Sequence, residues 1–132
     1  MPRIIAGKRK KMHLKMLPGI DVRPTTDRVK ENVFNLVAAW IPDADFLDLF
    51  AGSGQIGLEA LSRDACSCVF VEKSRRVFRV LMENIVKCRF EAYEAMCTDC
   101  LSFVASTEKK FDVIYMDPPY ASGIYEDLFY MI

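Results

Sequence analysis

The sequence predicts an α/β fold, a mainly parallel sheet with helices on both faces, and three observations carry that expectation. Apolar runs near residues 45–50, 67–72, 92–97 and 111–116 read as strands. Segments with helical spacing near 54–63 and 74–89, and a shorter one after Asp99, alternate with them. Connections this short demand right-handed crossovers between parallel neighbours. A glycine cluster, Gly52-Ser53-Gly54-Gln55-Ile56-Gly57, directly follows the first strand. A strand that turns through glycines into a helix builds a small-molecule cradle, because backbone without Cβ atoms approaches a ligand closely and the helix start offers N–H groups.

Length and composition bound the rest. At 132 residues the chain reads as one globular domain, and 52% hydrophobic residues suffice for a core. No apolar run approaches the ~18 residues of a membrane helix, and the basic start lacks the apolar segment of a secretory signal. A cytoplasmic protein without a membrane partner is expected. Five scattered cysteines (Cys66, Cys68, Cys88, Cys97, Cys100) fit a reduced compartment and are expected mainly as small core residues.

The zero net charge conceals an asymmetry: residues 1–30 hold nine Lys or Arg against two Asp, a net +7, and the remainder is −7. A basic arm on an acidic body points to a polyanionic partner such as nucleic acid, the alternative being a solvated tail.

Taken in order, residues 1–23 read as a basic arm or hairpin and residues 24–132 as the α/β domain. The alternating stretch 12–16 and the Pro18-Gly19 turn signal suit a hairpin. Its cations, Arg3, Lys8, Arg9, Lys10, Lys11, Lys15 and Arg23, are the candidate nucleic-acid contacts. His13, the only histidine, is assigned no chemistry. A helix is predicted to start near Thr25, Thr26 and Asp27. Val29, Val33, Leu36, Val37 and Trp40 would turn one apolar face inward until Pro42 stops it. A last helix is expected from about Ile124.

Ligands of parallel sheets sit at the carboxyl ends of the strands, so residues 51–54, 72–74, 98–100 and 117–120 are candidate site walls. Glu72 lies 20 residues after Gly52, where a dinucleotide fold places its ribose-binding acid. Asp48, just before the turn, argues against a dinucleotide, because its carboxylate would face the pyrophosphate. S-adenosylmethionine has no phosphate, and its ammonium and sulfonium favour a nearby carboxylate. Its candidate contacts at these walls are Asp48, Phe50, Ala51, Gly52, Ser53, Gly54, Glu72, Lys73 and Cys100.

Asp117-Pro118-Pro119-Tyr120 is the most specific signal. Two prolines stiffen the turn and leave its carbonyls free to accept. Such a turn, between a carboxylate and an aromatic ring, suits a flipped base with an exocyclic amine. Cys97-Thr98-Asp99-Cys100 has a C-x-x-C form, but zinc needs two more ligands that the sequence does not supply, so no metal is expected.

The D-L-F-A-G-S-G run, the acids ending the second strand and following the third, and D-P-P-Y after the fourth resemble the motifs of amino-directed class I methyltransferases. The runs R-P-T-T-D-R-V-K-E-N-V-F-N and F-L-D-L-F-A-G-S-G-Q-I-G-L-E-A-L-S-R resemble the bacterial RsmD family, which methylates N2 of a guanine in 16S ribosomal RNA. The resemblance spans nearly the whole chain. It implies that Asp48, Gly52 and Gly54 line the methionine end of S-adenosylmethionine, Glu72 its ribose and Asp99 its adenine amine. It implies that Asp117, Pro118, Pro119 and Tyr120 hold the guanine, and that Thr25, Thr26 and Asp27 pack over the cofactor. The expected partner is 16S ribosomal RNA or the small ribosomal subunit. The methyltransferase sheet has three strands beyond D-P-P-Y, so the chain reads as truncated, with Val113, Ile114 and Met116 on an apolar edge. The rival readings are a DNA adenine-N6 methyltransferase and a non-catalytic RNA-binding module of the same fold.

Overall fold

Four of the apolar runs form strands: β1 (Asp45–Asp48), β2 (Ser67–Glu72), β3 (Tyr93–Cys97) and β4 (Val113–Tyr115), in spatial order β3-β2-β1-β4. All three pairings are parallel, in the register Asp45–Ser67, Phe46–Val113 and Cys68–Tyr93. This is a computed structural model, and it describes residues 2–17 and 27–116. Arg23, Thr25, Thr26, the Pro18-Gly19 turn, residues 117–120 and the helix expected from Ile124 lie outside the described residues.

Because successive strand residues point to opposite faces, β1 and β2 split their side chains between two cores. Phe46, Cys68 and Phe70 join one core with helices α2 (Gln55–Ser62) and α3 (Arg75–Cys88). Leu47, Leu49, Val69 and Val71 join the other with Cys100 and Phe103 of α4 (Cys100–Ser106). Helices therefore cover both faces. Among the described residues β4 is an edge, as predicted, but Val113, Ile114 and Met116 are half-buried rather than exposed, because the first packs on one core and the other two on the second. The ladder outlasts β1 itself: Leu49 N–H donates to the Tyr115 carbonyl (3.2 Å) and Ala51 N–H to that of Val71 (2.9 Å).

The arm is a hairpin built into the body. Arg3 and His13 pair in antiparallel fashion, Ile4 N–H donates to Met12 O (2.9 Å) and Leu14 N–H to Pro2 O (2.8 Å). Ile4 and Leu14 are fully buried. At the hairpin turn Gly7 has φ +84°, and a Cβ there would lie 1.8 Å from the Ser62 carbonyl oxygen, so only glycine fits.

Helix α1 (Asp27–Leu36) corrects the predicted inward face. Val29, Leu36 and Trp40 are 51%, 84% and 69% exposed, whereas Lys30 and Phe34 are buried; of the predicted face, Val33 is half-buried and Val37 packs on the core. The cause is the surface α1 packs on. Lys30 Nζ lies 3.7 Å from Glu59 Oε1, both side chains without exposure, and donates to the Arg3 carbonyl. The Phe34 ring lies under the Arg63 guanidinium at 4.8 Å. The polar partners come from α2 and the hairpin, and they set the rotation of α1. The helix also stops earlier than predicted, giving way to a 3-10 turn at Ala38–Trp40. The cysteines divide: Cys68, Cys88 and Cys100 are buried as predicted, but Cys66 and Cys97 are exposed, since they stand where β2 begins and at the end of the edge strand β3.

Candidate active site

The loops after β1, β2 and β3 meet at the carboxyl end of the sheet. Asp48 ends β1 and is 1% exposed. Its Oδ2 accepts the Gly57 N–H at 3.2 Å, so it caps the first turn of α2 from below, where Gly54 at the cap position has no side chain to do so. Burial and the charge of Asp48 push the neighbouring Cys68 thiol well up. Gly57 has no room for a Cβ: the Phe70 ring would stand 2.3 Å and Cys68 Sγ 2.8 Å away. Its lack of a side chain lets α2 rest directly on β2.

The glycine turn needs left-handed backbone at Gly52 (φ +56°) and Gly54 (φ +93°). It is tied from three directions. Gly54 N–H donates to Ala51 O (2.8 Å), Gly52 N–H to Glu72 Oε1 (2.9 Å), and the Ser53 carbonyl accepts from Asn84 Nδ2 (2.8 Å). The second carboxylate oxygen of Glu72 accepts the Ser74 N–H at 2.8 Å, so one side chain straps the loop after β1 to the loop after β2. Thr98 N–H donates to the Glu72 carbonyl (3.1 Å) and brings in the loop after β3. Lys73 is exposed, with its carbonyl 3.7 Å from Cys97 Sγ. Phe50 is half-buried against the α4 core.

Asp99 caps α4, accepting from Ser102 N–H (2.8 Å) and Ser102 Oγ (2.9 Å). Those bonds hold its carboxyl below the usual carboxylate range. Burial, reinforced by Asp99, pushes the Cys100 thiol up. The structure thus brings Asp48, the glycine turn, Glu72, Lys73, Asp99 and Cys100 to one end of the sheet. Asp117, Pro118, Pro119, Tyr120, Thr25 and Thr26 lie outside the described residues.

The cradle suits a ligand without phosphate. The helix N–H that an anion would seek already holds the Asp48 carboxylate, and a pyrophosphate beside that buried charge would be repelled. Glu72 spends one acceptor position on each oxygen and keeps capacity for hydroxyls. S-adenosylmethionine fits this donor set.

The predicted RNA-facing cations behave unequally. Arg3 pairs with Asp27 (2.8 Å), Lys8 with Asp64 (3.1 Å) and Lys15 with Glu83 (2.9 Å). Arg9 donates to the Cys88 carbonyl and stacks on Phe90 at 5.2 Å. Lys10 and Lys11 are exposed and, among the described residues, have no ion pair; with Arg3 and Arg63 they line a cavity of about 380 Å³ between hairpin and α1. Among the described residues no cluster of three His, Cys, Asp or Glu could hold a metal, and no helix is long and apolar enough to cross a membrane.

Sequence reading missed Lys30, Glu59 and Asn84. Glu59 is fully buried and accepts from Ile5 N–H (2.8 Å), Ala6 N–H (3.0 Å) and Arg63 Nε (2.8 Å). Asn84 interrupts the apolar stripe Val77, Val80, Leu81, Ile85, Cys88 of α3. A polar residue on a buried stripe was the available signal.

Residues 2–132 match the family described as "Conserved hypothetical protein 95". The chain is 38% identical over 125 residues to ribosomal RNA small subunit methyltransferase D of Escherichia coli, covering 95% of this chain and 63% of that one. It is 39% identical over 128 residues to the Haemophilus influenzae protein of the same name, covering 94% and 66%. A solved structure of the Escherichia coli protein yhhF superimposes with a TM-score of 0.90 at 34% identity, covering 98% of this chain and 70% of that one. The chain spans about 63% of the length of the Escherichia coli relative. With its Rossmann-like methyltransferase fold, the chain belongs to the conserved hypothetical protein 95 family, the RsmD family of methyltransferases.

Proposed function

We propose that the chain carries the cofactor-binding and catalytic part of an enzyme that methylates the exocyclic N2 of a guanine in 16S ribosomal RNA, with S-adenosylmethionine as donor. The observation that carries the reading is the buried Asp48 carboxylate on the first turn of α2, beneath a glycine turn strapped by Glu72. That arrangement rejects pyrophosphate and favours a cationic amino-acid end next to a ribose. The names of the Escherichia coli and Haemophilus influenzae relatives support a ribosomal RNA substrate.

When bound, S-adenosylmethionine supplies an electrophilic methyl group on a sulfonium. Asp48, Gly52 and Gly54 would hold its amino-acid end, Glu72 its ribose hydroxyls and Asp99 its adenine amine. Thr25 and Thr26 would close over it. Asp117 and the Pro118 carbonyl would accept N–H bonds from the target amine. Those bonds concentrate its lone pair as the transition state forms, while Tyr120 stacks on the base and Pro119 stiffens the turn. Lys10 and Lys11, the exposed hairpin cations without an ion pair among the described residues, would meet RNA phosphates.

The deciding experiment offers labelled S-adenosylmethionine with small ribosomal subunits, naked 16S RNA and DNA in parallel. Label on guanine N2 of the RNA supports the reading; label on DNA adenine, or cofactor binding without transfer to any of the three, overturns it.

A further inference from the structure

We propose that Asn84 is a positioning residue that locks the N-terminal hairpin to the glycine turn, so that the turn keeps its ligand-ready shape only while the hairpin is docked. The link to a ligand rests on the S-adenosylmethionine reading above; the link between hairpin and turn does not.

Asn84 sits on the buried face of α3 and is 1% exposed. Its amide reaches both elements at once. Nδ2 donates to the Ser53 carbonyl (2.8 Å) in the glycine turn and to the Lys15 carbonyl (2.9 Å) in the hairpin, while Oδ1 accepts the Lys15 N–H (2.8 Å). Three of the four hydrogen-bonding positions of the amide are in use. Toward Lys15 the side chain does what the peptide of a neighbouring strand would do.

This linkage runs to a defined place in each element. Lys15 follows Leu14, which is fully buried and whose N–H holds Pro2, so displacing the hairpin moves the groups that Asn84 binds. Ser53 stands between Gly52 and Gly54, both at positive φ. Glycines impose little preference of their own, so the turn takes its shape from its tethers. Burying an amide without partners is costly, so Asn84 cannot swing away from one element without a penalty. By linkage, whatever favours the docked hairpin tightens ligand binding in the turn, and a ligand in the turn stiffens the hairpin.

The test uses the full chain and two readouts. The first is amide exchange without ligand, at Gly52 and Gly54 in the turn and at Ile4 and Leu14 in the hairpin. The second is calorimetric binding of S-adenosylhomocysteine. Asn84→Asp keeps the shape and the acceptor for Lys15 N–H but sets oxygen against the Ser53 and Lys15 carbonyls. It should lower protection in turn and hairpin together and weaken S-adenosylhomocysteine about tenfold or more. Leu14→Val, which loosens the packing of the hairpin on the core, should weaken binding several-fold in the native background and no further in Asn84→Asp. If Asn84→Asp does not fold, Leu14→Val in the native background decides the link by exchange: lowered protection at Gly52 and Gly54 supports it, and unchanged protection there overturns it. Glu83→Gln, which breaks only the outer ion pair of Lys15, should change neither readout. Turn protection unchanged by Asn84→Asp, or full additivity of the two substitutions, overturns the proposal. A native chain that binds no S-adenosylhomocysteine, with the exchange coupling intact, overturns the cofactor reading and leaves the link standing.

Discussion

The carboxylate of Glu72 accepts the Gly52 N–H at 2.9 Å across 20 residues of sequence, joining the ends of the two central strands. The same side chain therefore shapes the glycine turn and presents acceptors beside it. Replacing it removes both functions. Glu72→Ala is expected to weaken S-adenosylmethionine binding by more than tenfold and to lower stability modestly, because two backbone N–H groups lose their acceptor. Calorimetry and urea unfolding on the same variant separate the two effects, and unchanged affinity would exclude Glu72 from the cofactor site.

Asp117→Ala should reduce methyl transfer strongly and leave cofactor affinity nearly intact, since the proposed role of Asp117 is toward the target amine. Single-turnover transfer combined with equilibrium binding reads the distinction. Near-native turnover would remove Asp117 from the proposed role.

The Lys30–Glu59 pair is buried without exposure on either side. Glu59→Ala strands the lysine and frees the Ile5 and Ala6 N–H groups, and should cost about 3–5 kcal/mol in urea unfolding. Lys30→Met should cost less, because Glu59 keeps Arg63 and the two backbone donors.

Lys30 also predicts a pH dependence. Burial lowers its affinity for a proton, only partly offset by Glu59 and Asp27. At alkaline pH, between the lowered folded value and the ordinary lysine value, the unfolded chain binds more protons than the folded one, so this group's contribution to stability rises with pH. Below the folded value the penalty is fully present. The stability difference between Lys30→Met and the native chain should thus shift in favour of the native chain as pH rises through that window, as urea midpoints will show.

Gly57→Ala should destabilise by about 1–3 kcal/mol, because the added methyl meets the Phe70 ring and Cys68 Sγ, both buried. Urea unfolding of the variant checks this, and a neutral result would mean α2 can lift from β2.

Thiol titration of the native chain should show Cys66 and Cys97 reacting quickly and Cys68, Cys88 and Cys100 only on unfolding. Exposure favours the first pair, and burial raises the other three thiols.

The strand and helix order, the glycine turn and the acids at three strand ends are legible in the residues alone. Those features follow from local periodicity and backbone freedom, and β2 begins and ends where its apolar run does, at Ser67 and Glu72. The sequence also carries the motifs that mark the family. The rotation of α1, by contrast, is set by the surface it packs on. Its apolar residues suggested Val29, Leu36 and Trp40 inside, yet Lys30 and Phe34 are buried, because the surface beneath α1 presents Glu59, the Arg3 carbonyl and Arg63. A buried charge gains from partners contributed by distant segments, and periodicity within one helix holds no record of them. The same reason hid Asn84, whose three bonds reach Lys15 and Ser53, 69 and 31 residues away.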